Sequence, residues 1–454
     1  MKESLKIGVS GVRGVVGESF TPQIALLFAQ AFGTFVGRGS VIVGRDSRPS
    51  GQMIEQAVVA GLQSVGCKPI LCGIVPTPSL LFLAKQLGTR GGIAITASHN
   101  PASWNALKFI EATGTFLSEV RAEELFDIYH QQDFPQVPES EIRTAAREAY
   151  PVESHFKKIM NYADCPRIRK RKFRVAIDCC NGVGAVYSPF FLRSILGCDV
   201  VPIFDTPSGI FEREPEPLPE HIGRLCEAVV SSKCDVGFAQ DPDGDRLAIV
   251  DEKGKPLGED FTLALAMQQV LDGHGKGPVA ISLSTSKAVE HVARSRGCDV
   301  QRTKIGEINV TDVMQRIGAV VGGESTGGVI VPAVHPCRDS FTAMALVLEL
   351  MAQTGQTVSA IKAALPVFAV ARAKVPVRSE QASAALRVIR RHYAEHPQNQ
   401  LDGVFVDFGK AWIHVRRSNT EPVIRITAEA GAPDEAQRLL DEARALILSS
   451  AGQP

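Results

Sequence analysis

Four short loops carry the side chains that could do chemistry. The first is Thr96-Ala97-Ser98-His99-Asn100-Pro101, directly after the apolar run GGIAIT. In open α/β sheets the loop beyond a strand's carboxyl end is the usual ligand position. Ser98 would stand there on a rigid scaffold, with His99 and Lys108 near enough in sequence to assist it. An ordinary turn fits the same string, because Ser, Asn and Pro are common turn residues. The second loop is Asp241-Pro242-Asp243-Gly244-Asp245-Arg246, after the strand-like DVGFAQ. Alternate side chains of an extended loop share a face, so its three carboxylates can converge. At that separation they repel and raise one another's pKa values. A divalent cation removes the conflict, and hard oxygen ligands suit Mg2+. The spacing mimics an EF-hand with Glu252 at position twelve, but Arg246 stands where that motif needs glycine, and RLAIV reads as a strand. A solvated acidic turn is the other alternative; metal binding is the preferred reading.

The third loop, Gly322-Gly323-Glu324-Ser325-Thr326-Gly327-Gly328, pairs one carboxylate with glycines that let a ligand approach the backbone. Glu324 could accept two hydrogen bonds from neighbouring sugar hydroxyls, or face water in a turn. The fourth is Arg416-Arg417-Ser418-Asn419-Thr420-Glu421-Pro422, with Arg425 close behind. Guanidinium, hydroxyl, amide and backbone N–H groups together suit a phosphate; a polar hairpin turn is the plainer alternative. Asn181-Gly182-Val183-Gly184 imitates a dinucleotide fingerprint, but Tyr187 replaces its third glycine. No GxxxxGK[ST] string occurs.

The elements around these loops alternate. Thr21-Pro22 reads as N-cap and first residue of a helix carrying Ile24, Leu27, Phe28, Ala31, Phe32 and Phe35. SVIVGRD reads as a buried strand, followed by a helix capped by Ser50 and closed near Gly66. The grammar restarts at FRVAID and at PVAISLS, which is the mark of α/β layers on a largely parallel sheet. The last segment differs: a polar helix after Arg378, strands VFVDFG, AWIHVRR and VIRITAEA, and a helix near Asp434–Leu448 predict an antiparallel α+β module. Breaks are expected at Glu139–Pro151, Asp251–Pro256 and Leu365–Val377, the last with two prolines and suited to a hinge. The expected domains are 1–150, 151–254, 255–368 and 369–454.

At 454 residues the chain is too long for one ordinary core, and about three or four domains are expected. Lys plus Arg equal Asp plus Glu at 49 each, so no bulk field draws nucleic acid or an anionic membrane. Ten cysteines without a CxxC string fit buried thiols rather than a disulfide framework or zinc site. The start, MKESLKIGVSGVRG, has no apolar core of signal-peptide length, and no membrane span is expected. The expectation is a cytoplasmic protein.

Taken together the loops resemble the α-D-phosphohexomutase family, which comprises phosphoglucomutase, phosphomannomutase and phosphoglucosamine mutase. TASHNP, DPDGDR, GGE and RRSNTEP stand in that family's order across nearly the whole chain, and KIGVSGVRG, GRDSRPSG and VPTP match its N-terminal landmarks. The resemblance implies three similar α/β domains and a C-terminal α+β domain with a TATA-binding-protein-like fold, in a heart shape. It implies that Ser98 is phosphorylated and that Asp241, Asp243 and Asp245 hold Mg2+ with a seryl-phosphate oxygen. Arg13, His99, Lys108 and Arg246 would line the reacting phosphate. Glu324 and Thr326 would grip sugar hydroxyls, and Arg416, Ser418, Asn419 and Thr420, with Arg425, would hold the other phosphate. The implied reaction interconverts hexose 6-phosphate and hexose 1-phosphate through a hexose 1,6-bisphosphate, which would also activate the enzyme. The partner would be a small sugar phosphate, and the state a monomer or homodimer.

Three positions depart from the family pattern. Ala106 replaces a usual glycine, Gly328 replaces a histidine of the phosphoglucomutase/phosphomannomutase type, and Glu307 stands where that type has another histidine. GESTGGVIVP resembles the archaeal-type branch assigned to phosphoglucosamine mutase, so glucosamine phosphate is the expected substrate, with mannose or glucose phosphate as the alternative. A sugar-phosphate sensor without turnover would not need three aspartates beside a serine. A phosphatase would need only one phosphate site.

Overall fold

Proline at the first helical position and threonine before it begin a helix, because the missing N–H and the side-chain acceptor suit that end. In the computed structural model, which describes residues 5–418 and 423–451 apart from the side chains of residues 379, 450 and 451, the Thr21 hydroxyl accepts from the Ile24 amide. The helix runs Pro22–Val36. Helix Gly51–Ser64 also starts where expected, but Ser50 makes no side-chain cap bond. Its hydroxyl accepts instead from Asn105 Nδ2 at 2.9 Å.

The chain forms two compact units, residues 1–275 with 326–362 and residues 276–325 with 363–454. In the first unit a seven-stranded sheet has the order Lys6–Gly8, Gly11–Val15, Trp104–Glu111, Gly91–Ile95, Ser40–Arg45, Lys68–Ile74, Ala146–Arg147. Its last four strands are parallel, and Trp104–Glu111 runs antiparallel to both neighbours. A second sheet, Leu247–Val250, Val236–Gln240, Arg174–Asp178, Asp199–Ile203, is parallel except for Leu247–Val250. Gly91–Ile95 and Val236–Gln240 are buried throughout, as central strands covered on both faces must be. Their carboxyl ends deliver the serine loop and the aspartate loop.

A hairpin of Gly328–Val331 and His335–Arg338 leads into the buried helix Ser340–Thr354. Asp339 caps that helix, accepting from the Phe341 amide at 2.9 Å. The other Asp339 oxygen lies 3.1 Å from His155 Nε2, and His155 Nδ1 lies 2.9 Å from Ser79 Oγ. This chain has the order of a catalytic triad, but Ser79 and His155 are fully buried. It is an internal strut tying three distant segments, helped by the ring cluster of Phe156, Phe191 and Phe341.

In the second unit Val300–Thr303, Val279–Ser282 and Val321–Glu324 form parallel neighbours. An antiparallel sheet follows, in the order Ala369–Pro376, Val423–Ala430, Trp412–Arg417, Val404–Asp407, Gln398–Asn399. Helix Ser379–His392 follows the first of these strands and Pro433–Ala451 follows Val423–Ala430, both near the expected positions. One sheet face, with Val404, Val406, Ile413, Val415, Ile424 and Ile426, builds the local core. The other packs Phe405 and Trp412 on Leu283, and Lys287 donates to Glu429 and Asp407. Within the stretch Leu365–Val377, expected to suit a hinge, residues 365–368 lie in neither helix nor strand. Most of the stretch is the edge strand Ala369–Pro376, paired along its whole length with Val423–Ala430. Its final proline is tolerated because edge positions do not all need a donor.

Candidate active site

Ser98 adopts a left-handed backbone, φ +47°, which costs a non-glycine residue about 1–2 kcal/mol and needs surrounding bonds to persist. Arg48 supplies them. Its guanidinium is fully buried and donates to three carbonyls of the loop: Ser98 at 2.6 Å, Asn100 at 2.8 Å and Pro101 at 2.7 Å. Asp46 balances that charge, taking Arg48 Nε at 3.0 Å and the Thr96 hydroxyl at 2.7 Å. The Thr96 hydroxyl in turn accepts from the Ser98 amide at 3.0 Å. Burial raises the Asp46 pKa, although Arg48 pulls against it. Sequence reasoning passed over Asp46 and Arg48; the signal was two opposite charges beside an otherwise apolar strand.

The loop aims Ser98 Oγ at the aspartates. The hydroxyl lies 3.1 Å from Asp241 Oδ2 and 3.4 Å from His99 Nδ1. The ligand oxygens of Asp241, Asp243 and Asp245 lie within 4.8 Å of one another, and all three residues are buried. Burial first, then Asp245 and Asp243, pushes Asp241 well above the ordinary carboxylate range. Burial would also raise Asp243, but Lys108 Nζ at 2.8 Å and the Thr77 hydroxyl at 3.0 Å hold it low instead. Asp241 Oδ1 accepts from the amides of Asp245 and Arg246, both at 3.1 Å. Asp243 Oδ1 and Asp245 Oδ1 are buried without a hydrogen-bond partner. Such orphaned oxygens are costly, and a hard divalent cation fits them.

Positive charge surrounds this cluster. Lys108 sits opposite Ala94 in the register of Trp104–Glu111 against Gly91–Ile95, which turns its side chain toward Asp243. Arg246 pairs with Glu216 at 2.7 Å. Arg13 donates to Asn100 Oδ1 at 3.5 Å, and burial lowers its pKa. Arg246 first, then burial and Arg338, keep His99 neutral well below its usual pKa. Ala106 lies in a strand opposite Arg13, so alanine there strains nothing. The fingerprint-like glycines are packing residues. A Cβ on Gly182 would meet Pro242 O at 2.6 Å, and one on Gly184 would meet Gln240 Oε1 at 2.4 Å. Thr326 also belongs to this unit and has φ +66°.

Within the second unit, Glu324 Oε1 accepts from the Gly306 amide at 2.6 Å. Asp402 Oδ2 accepts from the neighbouring Ile305 amide at 3.4 Å. Arg416 stands directly opposite Arg425 on adjacent strands. Like charges so placed repel and suit an anion between them. Burial lowers the Arg416 pKa, and Asp402, Arg425 and Glu324 all act on it. The Ser418 amide donates to Val423 O at 3.0 Å. Asn419 and Thr420 lie outside the described residues.

A serine hydroxyl seated on a carboxylate cluster, ringed by cations, is equipped for metal-assisted phosphoryl transfer. Comparison with known proteins gives the family. Models of the phosphoglucomutase/phosphomannomutase α/β/α domains I, II and III match residues 4–136, 153–254 and 258–368, and that of the C-terminal domain matches 370–446. A "Probable phosphoglucosamine mutase" of Thermococcus kodakarensis is 35% identical, covering 97% of each chain. A "Phosphoglucomutase/phosphomannomutase" of the same organism is 34% identical over 96% of each. A solved phosphoglucomutase/phosphomannomutase family protein from Burkholderia thailandensis matches with a TM-score of 0.83 at 25% identity, over 98% of each chain. This chain belongs to the phosphoglucomutase/phosphomannomutase family, and so to the phosphohexomutases, which are isomerases. Among the described residues no helix is long and apolar enough to cross a membrane.

Proposed function

We propose that this chain interconverts hexose 6-phosphate and hexose 1-phosphate through a phosphoserine at Ser98, with glucosamine phosphate as its preferred sugar. The observation that carries the reading is Ser98 Oγ at 3.1 Å from Asp241 Oδ2, beside two buried carboxylates with orphaned oxygens. Asp241, Asp243 and Asp245 would hold Mg2+ together with an oxygen of the seryl phosphate. The ion would offset charge on the transferred group.

The chain's own residues supply the rest. Arg13, Lys108 and Arg246 offset the remaining charge on the phosphoryl group. The bond from phosphorus to Ser98 Oγ breaks as one forms to the free sugar hydroxyl oxygen, whose proton ends on Ser98 Oγ, giving a hexose 1,6-bisphosphate. Its other phosphate then passes back to Ser98. Neutral His99, 3.4 Å from Ser98 Oγ, adds no charge beside the serine oxygen and can orient it by a hydrogen bond. Arg416 and Arg425, with Ser418, Asn419 and Thr420 by resemblance, hold the phosphate that is not reacting. Glu324 and Thr326 hold sugar hydroxyls.

Glu307 supports the amino sugar. It begins helix Glu307–Ile317, is mostly buried, and follows Gly306, whose amide binds Glu324. A carboxylate there favours an ammonium group. The relative named for glucose and mannose phosphates is about as similar as the one named for glucosamine phosphate, which keeps those sugars as the second reading. Specificity constants for glucosamine 6-phosphate, mannose 6-phosphate and glucose 6-phosphate, each with trace hexose 1,6-bisphosphate, test the choice. Glucosamine 6-phosphate should lead; finding it poorest overturns the substrate. Wild-type turnover in Ser98→Ala overturns the phosphoserine.

A further inference from the structure

Gly328 does not have the left-handed backbone that would explain a glycine, yet a Cβ there would lie 2.6 Å from Arg338 Cδ and 3.3 Å from Arg338 Cγ. The glycine makes room for the stem of an arginine on the partner strand of its hairpin. That arginine reaches the aspartate loop: Arg338 Nη2 donates to Asp245 Oδ2 at 2.6 Å, with both side chains largely buried. Its charge is also felt at His99 and Lys108. The next residues are fastened to the same loop. Ser340 Oγ donates to Gly244 O at 2.5 Å and accepts from Gln240 Nε2 at 2.7 Å. Asp339 between them is fixed by His155.

From these contacts we infer that Arg338 is a positioning residue of the cation site, acting through Asp245, and that glycine at 328 is needed for it. The guanidinium binds Oδ2 of Asp245 and so fixes the carboxylate, leaving Oδ1, buried without a hydrogen-bond partner and 4.0 Å from Arg246 Nε, as its open oxygen. Groups that orient metal ligands in this way typically change affinity by about 10- to 100-fold when removed. The inference rests on the metal-assisted reading above.

Two effects of Arg338 have opposite signs, which makes the test sharp. If the guanidinium only placed positive charge near the cation, removing it would tighten metal binding. If it positions Asp245, removing it weakens binding. Mn2+ binding to the full-length protein, followed by electron paramagnetic resonance at matched Ser98 phosphorylation, reads the difference without turnover. Arg338→Met should weaken Mn2+ by about 10-fold or more. Gly328→Ala, which removes no charge, should weaken it in the same direction by displacing the stem. Arg338→Lys keeps the charge but loses the planar fork, and should recover only part of the affinity. Tighter or unchanged Mn2+ binding in a folded Arg338→Met or Gly328→Ala variant overturns the inference. Wild-type protein whose Mn2+ binding is indifferent to Asp243→Asn would instead overturn the cation site itself.

Discussion

Replacing Arg48 with methionine should disable the serine loop while leaving Ser98 and the aspartates in the chain. The substitution keeps most of the stem and removes four charged hydrogen bonds: three to loop carbonyls and one to Asp46. Bonds to a charged group are worth about 1.5–3 kcal/mol each and do not add when they share one side chain. Breaking a buried pair by removing one partner typically costs about 3–5 kcal/mol, the better guide here because Asp46 is left fully buried. At about 1.4 kcal/mol per factor of ten, the ordered loop loses roughly 10²- to 4 × 10³-fold against open forms. Ser98 then has no reason to keep φ +47°, and relaxation swings its hydroxyl away from Asp241. The expected result is a fall in kcat/KM of about 10²-fold or more, with faster amide exchange confined to residues around 96–104. Hydrogen-exchange mass spectrometry and steady-state kinetics on the same preparation provide both readings. Arg48→Met with native exchange in that segment and kcat/KM within threefold of wild type would refute the reasoning.

Two further outcomes follow from buried contacts. His335 donates to Gly114 O at 2.7 Å, and burial lowers its pKa to about 4 from 6.5. A depressed folded pKa gives stability that is complete above 6.5 and is lost as pH falls toward 4, because the unfolded chain takes the proton first. Wild type should therefore lose about 3 kcal/mol relative to His335→Gln across that window, and parallel denaturation profiles would contradict it. Gly209 has φ +65°, and a Cβ there would lie 2.4 Å from Ser47 O and 2.5 Å from Arg48 Cα. Gly209→Ala should cost about 2 kcal/mol or more in urea denaturation and lower kcat as well, since the collision is with backbone beside the serine loop.

What could be read from the residues, and what could not, divides by the range of the interaction. The loops were legible because an apolar strand followed by a polar, glycine-bearing loop is a local pattern; Ser98 and the three aspartates stand out that way, and the structure brings them together. Lys108 was found by nearness in sequence, but its partner Asp243 is 135 positions away and follows only from strand register. Asp46 and Arg48 were hidden in plain composition, since an i, i+2 pair of opposite charges usually faces water, and only burial reveals that this one carries the loop. Ala369–Pro376 was not legible as a strand because three of its four inward positions are small alanines, too weakly apolar to show period two, while Pro366 and Pro376 around it suggested a linker. Arg338 left no local signal at all. Its meaning lies in the absence of a side chain at 328 and in a carboxylate 93 positions earlier. Positional chemistry near the reacting atoms is therefore written in short strings, whereas the supports that hold those strings in strained or charged geometry are distributed over the chain and become visible only when packing is known.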